Sequence, residues 1–483
     1  MLKPVMLTAL LASIAGCATI GQDFSTPQAA SAPAYRHLDG IHADSQTRHL
    51  PAQWWTVFGD ATLNTLEQRA QSQNPGMKAS AQRLLQAQAQ MGTLRAAQLP
   101  ALSVATGISN SRTSSNTSQG IALGHRSIEG NNYSAGASMS YEIDLWGRVK
   151  RIVEAADAQA LAAQDDHDGV ALLLSAQVAT IYWQLRGMDA EMSILKGALG
   201  TRIESEQLIE ARLNGGLSNE LDVSRARIER ANAQADLHEV QRQRNLLEHS
   251  LATLVGVSPS TVLMPAAGTE ASDLPLPPAI PVGLPASLLA QRPDLAASIA
   301  SLRALNAQVG VAQGAFYPSV TLTANFGYAS ESLRELAQGG SRQFSMGPFA
   351  LSLPIFDGGR NQANLKMAKA RYDEALANHE SKLLNALREV EDALSDTQQR
   401  ERQALAQEQA KQAAARAYLV AQARYERGIS NYLDVIDAQR SSLSADRAAA
   451  QIRTQRLLAS VAVARALGAG WETGPVLATV LTQ

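Results

Sequence analysis

The residue types that most often do chemistry occur in this chain without the spacing that a catalytic or metal site needs. The eight histidines are scattered, with no His-x-x-x-His or His-Glu-x-x-His pair. No phosphate-binding glycine loop and no Gly-x-Ser-x-Gly elbow is present. A Ser-x-x-Lys match, Ser193 to Lys196, lies inside a predicted long helix. We therefore predict that the chain is not an enzyme and has no cofactor or metal site.

The single cysteine, Cys17, ends a signal-like segment. Lys3 supplies a positive start, an apolar run follows, and Ile14-Ala-Gly-Cys17 resembles the bacterial lipobox. The apolar run is too short to cross a membrane. The resemblance implies cleavage before Cys17 and lipidation of its thiol and of the new amino terminus. An ordinary signal peptide that contains a cysteine is the alternative.

One helical turn occurs twice, 212 residues apart. The segments that begin at Ala211 and at Ala423 share Ala-Arg, a glycine at the turn, Ser-Asn and Leu-Asp-Val in the same register. Gly216 and Gly428 suit the left-handed residue that ends a helix, and the Ser-Asn pairs can cap the next helix. The chain is therefore predicted to be two copies of one unit, each with a helical hairpin.

The repeat and the composition divide the chain. The net charge is only -2, which gives no basic surface for nucleic acid. Aromatic residues make up only 5%, which favours long helices packed by small side chains. The predicted parts are a signal peptide (1–16), a lipidated tether (17–50), a first repeat (51–257), a proline-rich linker (258–285), a second repeat (286–470) and a tail (471–483).

Each repeat contains two strand-like runs, at 101–109 and 133–143 and at 319–328 and 344–355. Apolar and small polar residues alternate in them, and about ten residues is the length of a tilted membrane-spanning strand. A phase slip at Gly347-Pro348 predicts a bulge. Residues 110–132 are predicted to be an exposed loop. Open sheet edges do not survive in lipid, so membrane strands here require several copies to share one barrel; a small soluble β-sandwich is the alternative.

Long helices follow each strand pair. They are predicted at about 145–213 and 219–255 in the first repeat, and at about 359–424 and on to 467 in the second. Shorter helices precede the strands: an amphipathic one at 54–66 capped by Asp60, one at about 77–97, and one that starts near Pro293. A heptad seam predicts lengthwise packing of the first long helix; it contains Leu174, Val178, Ile181, Leu185, Met188, Met192, Leu195 and Leu199.

Five motifs in this order resemble those of the TolC-like outer-membrane efflux proteins, and with Cys17 they resemble its OprM-like lipoprotein branch. The resemblance extends over essentially the whole mature chain, from about Trp54 to Ala469. The motifs are Tyr141-Glu-Ile-Asp-Leu-Trp-Gly-Arg148, Leu289-Ala-Gln-Arg-Pro-Asp-Leu295, Phe316-Tyr-Pro-Ser319, Leu353-Pro-Ile-Phe-Asp-Gly-Gly-Arg360, and Tyr425-Glu-Arg-Gly428 with Tyr432-Leu-Asp-Val435.

The resemblance implies an α+β membrane protein. A homotrimer would form a 12-strand outer-membrane β-barrel, four strands from each copy, continuous with a long α-helical periplasmic barrel. Drugs or other small toxic compounds would pass through its lumen. A periplasmic adaptor would bind the helical tips, and an inner-membrane pump of the RND type would supply the energy.

The same resemblance places Asp434 and Asp437 at the periplasmic gate. They share one helix face, and in a trimer six carboxylates around one axis would resist closure and disfavour anions. Tyr425 is expected to tie neighbouring hairpins, and the first copy carries Asp222 and Arg225 where the second has Asp434 and Asp437. The alternative for the two aspartates is a solvated helix surface.

Adaptor docking is a second hypothesis for the same turns. The residues expected to take part are Gly216, Leu217, Ser218, Gly428, Ile429 and Ser430.

Two other functions stay open from the sequence. A channel for type I protein secretion is one, although the lipobox favours drug efflux. A periplasmic coiled-coil scaffold lipoprotein without a pore is the other, but a scaffold has no need for four alternating runs of membrane-spanning length.

Overall fold

The computed structural model of the protein describes residues 19–27, 35–37, 51–264, 274–278, 280 and 292–471. Cys17, the predicted signal peptide and all of the predicted tail except Trp471 lie outside these residues. The predicted tether and linker are described in part.

Helices form most of the described chain. They are α1 (Ala61–Gln73), α2 (Pro75–Arg95), the short α3 (Ser118–Ala122), α4 (Arg148–Asn214), α5 (Glu220–Val255), α6 (Pro293–Gly314), α7 (Arg360–Glu426) and α8 (Tyr432–Ala466). Helices α4 and α7 each have 67 residues, which corresponds to a length of about 100 Å. The predicted long hairpins in both repeats are confirmed.

The predicted helix at 54–66 was wrong in one respect. Trp54–Phe58 is a 3-10 turn, and the α-helix begins only at Ala61. The predicted cap is confirmed, because the Asp60 carboxylate accepts hydrogen bonds from the backbone N–H groups of Thr62 and Leu63.

Four antiparallel strands form one sheet in the order β1-β2-β3-β4: β1 (Ala101–Arg112), β2 (Glu129–Ile143), β3 (Ser319–Ser330) and β4 (Arg342–Ser352). Thr323 lies opposite both Gly347 and Pro348 where the register shifts, which confirms the predicted bulge. The predicted loop at 110–132 was wrong at both ends, since the ladder continues to the pair Arg112 and Glu129. The polar residues at 110–112 and 129–132 belong to the strands because their backbone N–H and C=O groups bond to the neighbouring strand.

Contacts divide the chain into two compact units that do not follow the two repeats. The sheet unit contains residues 1–27, 84–163 and 298–378, and the hairpin unit contains residues 28–83, 164–297 and 379–483. The predicted boundaries of the repeats stay a prediction.

The core of the hairpin unit forms around the residues that open the ordered sequence. Trp54, Trp55 and Trp183 are almost fully buried. The Trp54 indole N–H donates to Ser175 Oγ at 3.0 Å, and the Tyr182 hydroxyl donates to Asp60 Oδ2 at 2.6 Å. Most of the predicted heptad seam is buried as well, with Val178, Leu185 and Leu195 at 0% exposure. These contacts fix α1 against α4.

Candidate functional site at the two hairpin turns

The two hairpin turns have nearly the same backbone. Gly216 has φ 73° and Gly428 has φ 74°, a region that side chains disfavour. The N–H of the next residue donates back across the turn, from Leu217 to Arg212 O at 2.8 Å and from Ile429 to Arg424 O at 2.9 Å. This is the hydrogen-bond pattern of a glycine-terminated helix, as predicted for both copies.

An asparagine caps the helix after each turn. Asn219 Oδ1 accepts from the Asp222 N–H at 2.9 Å, and Asn431 Oδ1 accepts from the Asp434 N–H at 3.0 Å. The preceding hydroxyls of Ser218 and Ser430 are buried, with no hydrogen-bond partner among the residues that the structure describes. Of each predicted Ser-Asn pair, only the asparagine is the cap.

Each turn also exposes a large apolar side chain. Leu217 is 81% exposed and Ile429 is 62% exposed. Exposed apolar groups at matching positions are suited to binding another protein.

Asp434 and Asp437 lie on the exposed face of α8. The opposite face packs inward through Tyr432, Val435 and Ile436. The Asp437 carboxylate is 62% exposed and lies 3.9 Å from the Arg440 guanidinium on the same helix. The structure therefore places both predicted gate aspartates on one solvent-facing strip of the single chain.

The remaining predicted gate residues form contacts within their own chain. Asp222 Oδ1 lies 3.5 Å from Arg225 Nη1. The ring of Tyr425 packs 5.5 Å from that of Tyr432, and the Arg212 guanidinium lies 4.7 Å above it. The Arg212 contact links the end of the first hairpin's outgoing helix to the second hairpin, and the contact between the two rings closes the second hairpin itself.

An ionic cluster above the turns was not predicted from the sequence. Glu229 on α5 is 4% exposed. It accepts hydrogen bonds from the Arg440 Nε at 2.9 Å and from the Arg440 Nη2, and it pairs with Arg202 on α4 at 3.2 Å. The bond to Glu229 raises the pKa of Arg440 above its usual range. Three helices from both repeats are joined by this one carboxylate.

A second ionic cluster lies further along the same helices. The Arg447 guanidinium on α8 donates to Glu191 of α4 at 2.7 Å and to Asp236 of α5 at 3.1 Å. Glu191 is 3% exposed. The two clusters therefore tie the second hairpin to the first at two levels.

A signal for the first cluster was present in the sequence. The heptad spacing that predicts burial up to Leu199 continues through Arg202, Glu206 and Ile209, all of which are buried. Glu229 likewise lies on the buried side of α5, between Ala226 and Ala233. Charged residues on an apolar stripe indicate buried ion pairs, because an unpaired charge there is too costly.

The described part of the chain contains no group of three or more His, Cys, Asp or Glu side chains placed to hold a metal ion. Two exposed apolar tips, a strip of carboxylates and internal ion pairs suit conduction and docking rather than bond-making chemistry.

The family relationship agrees with this geometry. The family model described as "Outer membrane efflux protein" matches residues 66–257 and 284–469, which include both hairpin turns and all four strands. The chain belongs to the outer membrane efflux protein family. The predicted membership is thereby confirmed.

Relatives of this outer membrane efflux protein cover nearly its whole length. Outer membrane protein OprJ of Pseudomonas aeruginosa is 35% identical over 469 residues, or 96% of this chain and 95% of the relative. Toluene efflux pump outer membrane protein TtgF of Pseudomonas putida is 32% identical over 475 residues, or 96% of each. The solved outer-membrane channel OprN is similar with a TM-score of 0.86 and 30% identity, over 94% of this chain and 100% of that one.

These likenesses confirm the predicted fold class, function and location. The protein is an outer-membrane efflux component with an α+β channel fold, which spans the outer membrane and extends into the periplasm. The relative TtgF is named as the outer membrane protein of a toluene efflux pump.

Proposed function

We propose that three copies of this chain form one passive exit duct. The observation that carries the proposal is the sheet itself. Within the described residues β1 and β4 have no strand on their outer sides, and they expose Val104 at 77% and Met346 at 82%. In lipid such edges must pair, and pairing β1 of one copy with β4 of the next closes a barrel of about twelve strands, four from each of three copies.

Disulfide crosslinking tests this assembly. A cysteine at Ser103 of β1 is combined in the same chain with a cysteine placed in turn at successive positions of β4, because closure of a barrel staggers the register. In a Cys17→Ser background, one of these pairs is expected to crosslink neighbouring copies and to trap an oligomer that resists heating. The control places cysteines on the central strands, at Ser138 and Asn325, which pair within one chain. A monomer that high salt releases from the membrane would contradict the duct.

The gate of this duct is assigned to Asp434 and Asp437 of the second hairpin, with Tyr425, Asp222 and Arg225 around it. Three copies bring six carboxylates to one axis, where their repulsion opposes tight closure and their field disfavours anions. Arg440 compensates this charge, because it lies 3.9 Å from Asp437 and is held by Glu229.

Single-channel conductance of the reconstituted protein tests the gate. Replacing both aspartates with Ala leaves the Arg440 side chains of the three copies without the carboxylates that they compensate, so the closed state is expected to loosen and the conductance or the leak to rise. The control removes two exposed carboxylates elsewhere, Asp392 and Asp396 on α7, and is expected to change neither. An unchanged, low conductance in the Asp434→Ala/Asp437→Ala variant rejects the assignment.

A periplasmic adaptor binds the turns in this proposal, and an inner-membrane pump of the RND type supplies the energy. The exposed Leu217 and Ile429, with their neighbours Gly216, Ser218, Gly428 and Ser430, form the docking surface, while the chain itself catalyses no reaction. Cysteines at Leu217 and Ile429 are expected to crosslink to the adaptor. Working efflux without such crosslinks contradicts this surface.

The cargo is assigned to drugs or other small toxic organic compounds, in line with a relative named for toluene efflux. Susceptibility profiling of a deletion strain, complemented with the intact gene and with the double aspartate variant, tests this. A profile unchanged by deletion rejects the cargo class.

The proposed function also includes lipidation of Cys17. A diacylglyceryl group from a phospholipid forms a thioether with Sγ, the donor's glycerol–phosphate C–O bond breaks, and the thiol proton leaves with the phosphate. Water then cleaves the Gly16–Cys17 bond, and the freed amine takes an acyl chain from another phospholipid, which leaves as a lysophospholipid. More than one acyl chain makes the anchor stable.

A further inference from the structure

The N-terminal strap, residues 19–23, is held in one place by Arg151 of α4. The buried guanidinium of Arg151 donates to Ile20 O at 3.0 Å, to Gly21 O at 2.9 Å and to Asp23 Oδ1 at 2.9 Å. Because Arg151 has a side-chain exposure of only 3%, its bonds to the two carbonyls are shielded from water, whereas the Asp23 carboxylate is 93% exposed. The strap is therefore a fixed part of the sheet unit.

Two glycines set how closely the strap lies against its neighbours. A Cβ on Gly21 would stand 2.8 Å from Gly310 Cα, and a Cβ on Gly147 would stand 2.5 Å from Thr19 Cγ2. Both glycines also have positive φ, 92° and 76°. The Ile20 N–H adds a bond to Trp146 O at 3.0 Å, so the strap follows the segment between β2 and α4 closely.

An open cleft of about 690 Å³ lies beside the strap. Its wall combines aromatic and aliphatic side chains with polar groups in similar proportion. The residues that line it are Thr19, Ile20, Gly21, Trp146, Gln313, Phe316, Tyr317 and Leu365. The rings of Trp146 and Tyr317 lie 5.4 Å apart, and the Trp146 indole N–H donates to Pro318 O at 2.8 Å, so the aromatic wall is rigid.

The cleft lies where the strands end. Trp146 follows the last residue of β2 by three positions, and Tyr317 precedes β3 by two. Other exposed apolar side chains occur at the same end of the sheet, with Ile355 at 94% and Phe356 at 91% just after β4. A belt of aromatic and apolar residues at the ends of membrane strands marks the level of the lipid headgroups.

We propose that this cleft holds one acyl chain of the lipid attached to Cys17. The inference rests on the proposed lipidation. Thr19, which lines the cleft, is only two residues from Cys17, and two residues span at most about 7 Å. An acyl chain bonded to Cys17 therefore starts within reach of the cleft, whose aromatic and aliphatic side chains offer it an apolar contact.

The short tether favours this occupant over a separate amphiphile. The nearby Arg148 pairs bidentately with Glu142 through bonds of 3.0 and 2.6 Å, whereas the exposed Lys150 donates to the Thr19 hydroxyl at 3.4 Å and is open to a phosphate. A free phospholipid is therefore the competing occupant, and the crosslinking experiment separates the two. The acyl chain on Cys17 has the advantage that its attachment point lies two residues from the cleft.

Photo-crosslinking in intact outer membranes tests the proposal. Cells are fed a palmitate analogue with a mid-chain diazirine, the full-length protein is irradiated and purified, and tryptic peptides are analysed by mass spectrometry. The N-terminal peptide is expected to carry acyl groups on Cys17. Its crosslinks are expected on peptides 127–148 and 304–334, which contain Trp146 and Phe316 with Tyr317.

Two leucines of α7 give a matched pair of variants. Leu365→Asp places a charge in the cleft and is expected to lower crosslinking to both peptides roughly tenfold, since an acyl chain avoids a carboxylate. Leu384→Asp changes a leucine that is 66% exposed and outside the cleft, and is expected to leave the crosslinks unchanged.

Crosslinks confined to phospholipid, or to peptides elsewhere in the chain, overturn the cleft assignment. An N-terminal peptide without acyl groups overturns the lipidation on which it rests. Neither result bears on the duct, which single-channel conductance tests separately.

Discussion

The two hairpin turns, residues 214–219 and 426–431, have the same backbone and different charges around it. Their glycines differ by 1° in φ, and the hydrogen bonds that close the two turns agree within 0.1 Å. After the first turn Asp222 pairs with Arg225, whereas after the second Asp434 and Asp437 form an exposed acidic strip. The backbone was kept in both copies while the charges diverged.

The two hairpins therefore have the same fold but contribute different charged groups to their packing. The first hairpin supplies a buried carboxylate, Glu229, and the second supplies the arginine that binds it, Arg440. Position 441 in the second copy corresponds to Glu229 and is an exposed serine. The first hairpin therefore fixes the second through this ion pair, and the second hairpin carries the exposed aspartates.

The largest expected effect comes from removing the Glu229 carboxylate that binds Arg440. Glu229→Ala leaves Arg202 buried without its carboxylate and is expected to destabilise the packing of the hairpins by about 3–5 kcal/mol. Hydrogen exchange of the amides in α5 and α8 measures this. The control is Ser441→Ala at the matching position, which should stay within about 0.5 kcal/mol. Equal losses of stability in Glu229→Ala and Ser441→Ala would show that the two hairpins do not differ at these matching positions.

Replacing the turn glycines is expected to have a smaller and equal effect. Gly216→Ala and Gly428→Ala should each cost about 1–2 kcal/mol, because a side chain at positive φ is strained. Apart from the neighbours of the glycine in the chain, no atom of the described residues lies within 4 Å of either added Cβ. Backbone strain is therefore the only cost expected within a single copy of the protein. Exchange rates of the turn amides measure it, and asparagine at either position should cost less. A much larger cost at one turn would show that another copy packs against it.

Removing the helix caps is expected to cost less again. Asn219→Ala and Asn431→Ala should each destabilise the following helix by about 1 kcal/mol, since each asparagine satisfies one first-turn N–H. Exchange of the amides of Asp222 and Asp434 reports on this directly. Serine at either position, which also caps, should restore most of the protection, and a failure to do so would contradict the assigned cap.

The smallest expected effect isolates the charge difference itself. Asp222→Ala removes a first-turn carboxylate, its pair with Arg225 and the bond that it accepts from Asn219 Nδ2 at 3.1 Å, whereas Asp434→Ala removes a first-turn carboxylate for which the described residues show no ion pair. The two costs should therefore differ by about 0.2–0.5 kcal/mol. A double-mutant cycle with Arg225→Ala gives the pair energy, and that difference should vanish at high salt if the pair is its cause.

Much of the fold was predictable because its signals are local. Alternation predicts all four strands, glycine and asparagine predict both turns, and Asp60 predicts the start of α1. The ends of β1 and β2 were not predictable, because Asn110 and Asn131 are loop-like by type and become strand only when they pair, with an amide hydrogen bond of 2.9 Å between them. Strand ends depend on the partner strand, which local sequence does not specify.

The sequence by itself determined the four strands, the two turns and the family. The tertiary structure decided which charges meet: Arg440 with Glu229 across 211 positions, and Arg447 with Glu191 across 256. The reason is physical. Turns and alternation follow from each residue's own backbone preferences, whereas an ion pair is decisive only when packing has removed the water around it, and that burial exists only in the folded protein.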